Sequence, residues 1–229
     1  MFRKCIALLR NINKILNKIQ DNKKLKIMSV LVYTESEKGK FKKAALEVVS
    51  YAKAIANQLG TTVTAIAINA EHSESLGNYG ATKVLSIKDD TLNTFNAKKY
   101  ASAIVQAAKN EDAKVVVVSA SADSKYLAPL LAVGLEAGYV SNVVAAPSSV
   151  SPFTVKRSAF TNKAFANTEI TTDVKIVGLS NNSFGLVETE GTATVEDFSA
   201  TLPESGVSVV SVDKATDIVT IADAETVVS

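Results

Sequence analysis

The chain has 229 residues, 47% of them hydrophobic and 21% charged; that suffices for one large domain or two small ones and is too apolar for a disordered chain. Its lone cysteine, Cys5, excludes an internal disulfide framework and suits a reducing compartment such as the cytoplasm; its lone histidine, His72, removes most histidine-dependent catalysis and most zinc chemistry. No apolar run approaches the ~20 residues of a membrane span.

The net charge of +2 is unevenly spread. Residues 1–27 carry eight basic side chains against Asp21, a net +7, while the remaining 202 residues carry 17 basic and 22 acidic side chains, a net −5. The sequence pI of 8.5 therefore belongs to the first 27 residues. The rest shows no basic stripe with interleaved aromatics, so nucleic acid is not an expected partner. Within 1–27, Cys5, Leu9, Ile12, Leu16 and Ile19 recur at helical spacing, with Lys and Arg opposite. Such a basic amphipathic helix can lie on a membrane surface or dock on a partner. The same Ile-, Lys- and Asn-rich stretch also reads as translated sequence upstream of a true start at Met28. This second reading is the expectation.

From Ser29 to Tyr33 a short apolar run reads as a strand. Phe41 to Leu59 follows with helical spacing, and Gly60 stops it. Thr62 to Ile68 is a β-branched, buried strand, Glu71 to Gly77 a helical turn, and Lys83 to Ile87 a third strand. Ala97 to Lys109 is helical. Val115 to Val118 gives four consecutive valines without polar alternation, the pattern of a strand covered on both faces. A helix over Leu127 to Ala137 comes next. Pro129 is expected near its first turn, where a missing N–H costs nothing. After Gly138, Tyr139 to Ala145 is a fifth strand. The alternation breaks at Pro147-Ser148-Ser149 and Pro152. Beyond it lie Phe153 to Phe160, Asn167 to Thr172, Val174 to Leu179, Thr192 to Val195 and Val207 to Val212, all β-rich, with no further helix of three turns. The expected fold class is α/β: a Rossmann-like parallel sheet flanked by helices over residues 28–146, then a β-rich, antiparallel extension.

In doubly wound sheets ligands sit beyond the carboxyl ends of the strands. That singles out Thr34 to Lys43, Asn69 to His72 and Ser119 to Lys125. The first lacks the spacing of a phosphate loop, since Thr34 and Phe41 stand where Gly and Ser or Thr are required, and G-x-G-x-x-G is absent. Ser119, Ser121, Asp123 and Ser124 could bind an anion through hydroxyls and helix N–H groups, but capping by Ser and Asp is the expected role. His72, between Glu71 and Ser73, reads as solvated, as does the Asp89-Asp90 pair. Arg157, the only arginine after residue 10, could grip a carboxylate or phosphate; structural pairing is expected. No catalytic, cofactor-binding or metal residue emerges.

Leu127-Ala128-Pro129, then Leu131-Ala132 and Leu135, then Gly138-Tyr139-Val140-Ser141-Asn142-Val143, resemble the N-terminal domain of the electron transfer flavoprotein alpha subunit. The opening Val30-Leu31-Val32-Tyr33-Thr34-Glu35 is similar too, and Arg157 to Ala164 resembles that family's Arg-then-Gly-Asn-Ala hairpin. The resemblance covers residues 28–229. It departs at Ser124-Lys125-Tyr126, where the family often has Gly-Arg-Asp. It departs again at Asn142, which replaces an aspartate, and at Gly178 to Phe184, which lacks an arginine.

The resemblance implies three parts: residues 1–27 as an extension, 28–210 as the alpha-subunit N-terminal domain, and 211–229 as the start of a linker to a C-terminal FAD-binding domain. It implies FAD in the full-length complex, held by that further domain and not by this chain alone. It implies a beta subunit as partner, with the family's AMP on the beta side. Donors would be of the acyl-CoA dehydrogenase type and the acceptor a quinone oxidoreductase, as in fatty acid beta-oxidation. The chain would be an electron-carrier scaffold and not an enzyme. The alternative is a stand-alone nucleotide-binding module of the universal-stress type.

Overall fold

The four valines Val115–Val118 sit at the heart of the fold, all of them buried. The computed structural model describes residues 29–207, 209–212, 226 and 228. Expectations for residues 1–27 and for most of 211–229 lie outside the described residues.

In chain order the main elements are strand β1 (Ser29–Thr34), a small hairpin of β2 (Ser36–Glu37) and β3 (Lys40–Phe41), helix α1 (Lys43–Leu59), β4 (Thr62–Ile68), β5 (Lys83–Ile87), helix α2 (Ala97–Asn110), β6 (Val115–Ser119), helix α3 (Ala122–Leu135) and β7 (Gly138–Val143). There follow β8 (Ser149–Val150), β9 (Phe153–Ala159), β10 (Ala164–Ile170), β11 (Lys175–Leu179) and β12 (Thr194–Asp197). Short 3-10 segments cover Ser73–Tyr79 and Asp90–Leu92.

One ten-stranded sheet runs β10-β9-β7-β11-β6-β1-β4-β5-β12, with β8 beside β9. From β7 to β12 every neighbour is parallel; β9 and β10 are antiparallel. The expected α/β fold with a helix-flanked parallel sheet is therefore present.

The expectation that everything after residue 146 is an antiparallel extension is corrected. β11 inserts as a parallel strand between β6 and β7, and β12 joins in parallel at the opposite edge, beside β5. The reason lies in composition. Ile176, Val177 and Leu179 are continuously apolar and buried, which suits a strand covered on both faces and not an edge ribbon. β9 opens with buried Phe153 and Val155 alternating with more exposed Thr154 and Lys156, and β10, at the edge, is mostly exposed. Val207 to Val212, expected as a strand, shows none among its described residues, and its valines stand exposed.

The two faces of the sheet build two cores. Val30, Val32, Val63, Ala65, Val115 and Val117 face α1, whose small residues Ala45, Ala52 and Ala56 allow close approach. Leu31, Tyr33, Ile66, Ile68, Val116 and Val118 face α2 and α3. α1 ends at Gly60 in the left-handed region (φ 66°), its N–H returning to the Ala56 carbonyl. α2 starts at Asn96, whose side chain accepts from the Lys99 N–H at 3.2 Å.

α3 begins at Ala122, five residues before its expected start, so Pro129 lies in the helix interior. Its missing N–H leaves the preceding turn one bond short. The Ser121 cap, whose Oγ accepts from the Ser124 N–H at 3.0 Å, and the anchoring of Ser124 described below hold that turn in place.

Candidate functional site

The chain runs from β1 through α1 to β4 on one side, while β6 lies on the other side of β1. The carboxyl ends of β1 and β6 thus flank the topological switch point, where doubly wound sheets take ligands. Glu35 follows β1 directly, and Ser119 ends β6.

The two meet. The Glu35 carboxylate is 5% exposed, and its Oε1 accepts from three hydroxyls: Ser119 Oγ at 2.5 Å, Ser124 Oγ at 2.9 Å, and Ser121 Oγ. Two of the donors, Ser119 and Ser124, are themselves buried. The cluster opens α3, so the partial positive charge of that helix terminus faces the carboxylate. No Lys, Arg or His pairs with Glu35 among the described residues. Hydroxyls and the helix end therefore do the compensating that a cation would otherwise do.

A second carboxylate plays a similar part at the end of β11. Glu47, on the buried face of α1 with Ser50, is 3% exposed. Its oxygens accept from the backbone N–H groups of Asn182 (2.8 Å), Phe184 (2.8 Å) and Gly185 (2.9 Å). The loop is thereby tied to α1, and the Phe184 ring stands edge-on to Tyr51 at 5.3 Å.

Beside Glu35 lies a cleft of about 360 Å³ between the ends of β1 and β4, with Tyr33, Phe95 and Tyr100 as aromatic walls and Asn69 and Asp123 among its polar ones. The β2–β3 hairpin covers one side, held by Ser36 Oγ donating to the Ile68 carbonyl (2.8 Å) and by the Glu71 N–H donating to Gly39 O (2.8 Å). Burial pushes the Tyr33 phenol well up, with Glu35 adding to the effect, and burial lifts Tyr100 to about 12.

The residues singled out in the sequence are thus partly united. Ser119 to Ser124 does bind an anion, but that anion is Glu35, and Ser121 also caps α3 as expected. His72 is solvated, its side chain 83% exposed with Nδ1 3.5 Å from Glu74. Asp89 caps a turn, its Oδ1 accepting from the Thr91 N–H at 2.8 Å; hydrogen bonding from Thr91 holds its carboxyl below the usual range. Arg157 is not paired as expected: its Nε is buried with no partner among the described residues. No group of three or more His, Cys, Asp and Glu could hold a metal among the described residues. Glu35 lies in the Thr34 to Lys43 segment singled out in the sequence, but no role was read for its carboxylate, and Glu47 was missed. The signal was a lone carboxylate set directly after, or within, a run of core residues.

These features define a doubly wound α/β domain whose central crevice is filled from within. The sequence signature described as the electron transfer flavoprotein domain matches residues 30–203, and the chain belongs to that family. It is similar to the electron transfer flavoprotein subunit alpha of Bacillus subtilis (strain 168), at 24% identity over 87% of this chain and 63% of that protein. It is also similar to the subunit alpha of Pseudomonas aeruginosa, at 27% over 75% of this chain and 54% of the relative, and to that of Clostridium acetobutylicum, at 28% over 49% and 34%. The chain therefore spans less than two thirds of the curated relatives it matches. No helix among the described residues is long and apolar enough to cross a membrane.

The family is one of flavoproteins, but the described residues do not fit a flavin. The helix terminus best placed for a pyrophosphate already faces a carboxylate, which would repel one.

Proposed function

We propose that this chain is the scaffold domain of an electron transfer flavoprotein alpha subunit. Paired with a beta subunit, it carries electrons from flavin dehydrogenases of the acyl-CoA dehydrogenase type towards the respiratory chain, through an FAD held outside residues 28–210, and works in the cytoplasm. The observation carrying this is the family match, which spans residues 30–203 and so takes in the whole sheet from β1 to β12. The domain's own part is to shape and present a surface; His72, the lone histidine, stands 83% exposed beside Glu74.

Co-expression with a tagged beta-type subunit from the same genome tests this. The chain should co-purify, and the pair together with an FAD-binding domain should be yellow and accept electrons from an acyl-CoA dehydrogenase. The 229-residue chain alone should be colourless. Stoichiometric FAD or ATP on the isolated chain would move the assignment to a stand-alone nucleotide-binding module.

A further inference from the structure

We propose that the aromatic-walled cleft beside Glu35 is a binding site for a small organic cation, a primary amine or amidine on an apolar body, whose N–H groups are received by the Tyr33 hydroxyl and the second oxygen of Glu35. The inference does not rest on the electron-carrier reading.

Four observations carry it. The first is an unmet hydroxyl. Tyr33 is 4% exposed and lines the cleft. The neighbouring Tyr100 hydroxyl donates to the Leu92 carbonyl at 2.7 Å, whereas the Tyr33 hydroxyl has no hydrogen-bond partner among the described residues. A buried phenol ordinarily finds one. The second is the carboxylate. Glu35 lines the same cleft, yet all three serine hydroxyls go to Oε1, so Oε2 receives no donor among the described residues. The third is the sign of the charge. Glu35, Glu37 and Asp123 line the cleft against Lys38 and Lys42. Both lysines belong to the covering hairpin and its exit: Lys42 lies 3.6 Å from Glu37, and Lys38 stands exposed in the turn. Glu35 and Asp123 are left to set the potential at the back wall, and the Tyr33 phenol registers it, held up by burial first and then by Glu35, Tyr100 and Asp123. That potential favours a cation and repels an anion. The fourth is the wall itself. Tyr33 stands edge-on to Tyr100 at 6.2 Å, and Phe95 is tilted against Tyr100 at 5.0 Å. Three rings at different angles give an apolar body a seat and a cation aromatic surface beside it.

The test titrates phenethylammonium into the full chain, with phenethyl alcohol as the uncharged molecule of the same shape. The chain has no tryptophan and six tyrosines, so near-ultraviolet difference absorbance reads the rings of the cleft, and thermal unfolding gives a second readout. The native chain should give a saturable tyrosine signal with a Kd at or below about 1 mM, and a rise in Tm, as for a ligand that binds only the folded state. The alcohol should bind several-fold more weakly. Tyr33→Phe, which keeps the ring and removes the hydroxyl, and Asp123→Asn should each weaken binding several-fold, and Glu35→Gln should weaken it most. Glu188→Gln, which removes an exposed carboxylate outside the cleft, should leave it unchanged. A native chain without a saturable signal would overturn the proposal, as would an alcohol that binds equally well. Folded Tyr33→Phe and Asp123→Asn variants that bind as the native chain does would also overturn it, and these two decide the matter if Glu35→Gln does not fold. Equal weakening in Glu188→Gln would trace the binding to general surface charge and overturn the site.

Discussion

Two carboxylates that a residue-by-residue reading passes over hold the carboxyl end of this sheet together. Glu47 is the clearer structural case, because its acceptors serve three backbone N–H groups in a loop whose other tie to α1 is Ser50 Oγ with the Val187 N–H and carbonyl. In E47A the exposed Asn182 and Gly185 can turn their N–H groups to water, while the half-buried Phe184 N–H is left unmet and the Phe184–Tyr51 contact loosens. At about 1–3 kcal/mol for a buried group left unpaired, the expected loss is about 1–3 kcal/mol. E47Q keeps one acceptor oxygen and should lose about half as much. Urea unfolding decides it, and a loss under ~0.5 kcal/mol for E47A would show that the loop does not depend on Glu47.

Among the elements, α3 carries the most internal tension. Pro129 sits in its interior, where a proline typically costs ~3 kcal/mol. P129A restores the N–H facing the Lys125 carbonyl but frees the unfolded chain by ~1 kcal/mol, so a net gain of about 1–2 kcal/mol is expected in urea unfolding. A destabilised P129A would mean that the helix is shaped around the ring. Further along, a Cβ on Gly134 would come within 2.7 Å of Val105 Cγ2 on α2. G134A should therefore be destabilising in the native chain despite alanine's better helix propensity. In a V105A background it should become neutral or stabilising. Additive effects in that double-mutant cycle would show that the two helices do not meet there.

At the scale of the molecule, the tyrosines of the two cores set an alkaline limit. Burial raises the phenols of Tyr33, Tyr51 and Tyr100, the last from 10.0 to about 12. The unfolded chain then releases these protons at lower pH than the folded one. Their contribution to stability is complete below pH 10 and is lost as pH rises through the folded values. The urea midpoint should therefore fall from about pH 10 upward, with tyrosinate absorbance from the buried rings appearing together with unfolding. Ionisation of all three rings inside an intact fold would contradict the burial seen here.

The sequence by itself determined the parallel core and the family. The run Val115–Val118, the helical spacing of Phe41–Leu59 and the glycine stop at Gly60 are local signals, and local physics obeys them. The segments around Leu127–Val143 carried the family resemblance for the same reason: they are contiguous. Tertiary structure alone decided the place of β11 between β6 and β7, because a short apolar run says that a strand is buried but not between which neighbours. It alone decided that Pro129 lies mid-helix, since the Ser121 cap and the serine bonds to Glu35 sustain a turn that local rules would end. The site was the least legible part. Glu35 and Ser119 are 84 residues apart, and neither is unusual where it stands. Only the parallel pairing of β1 with β6 at the switch point makes one the ligand of the other.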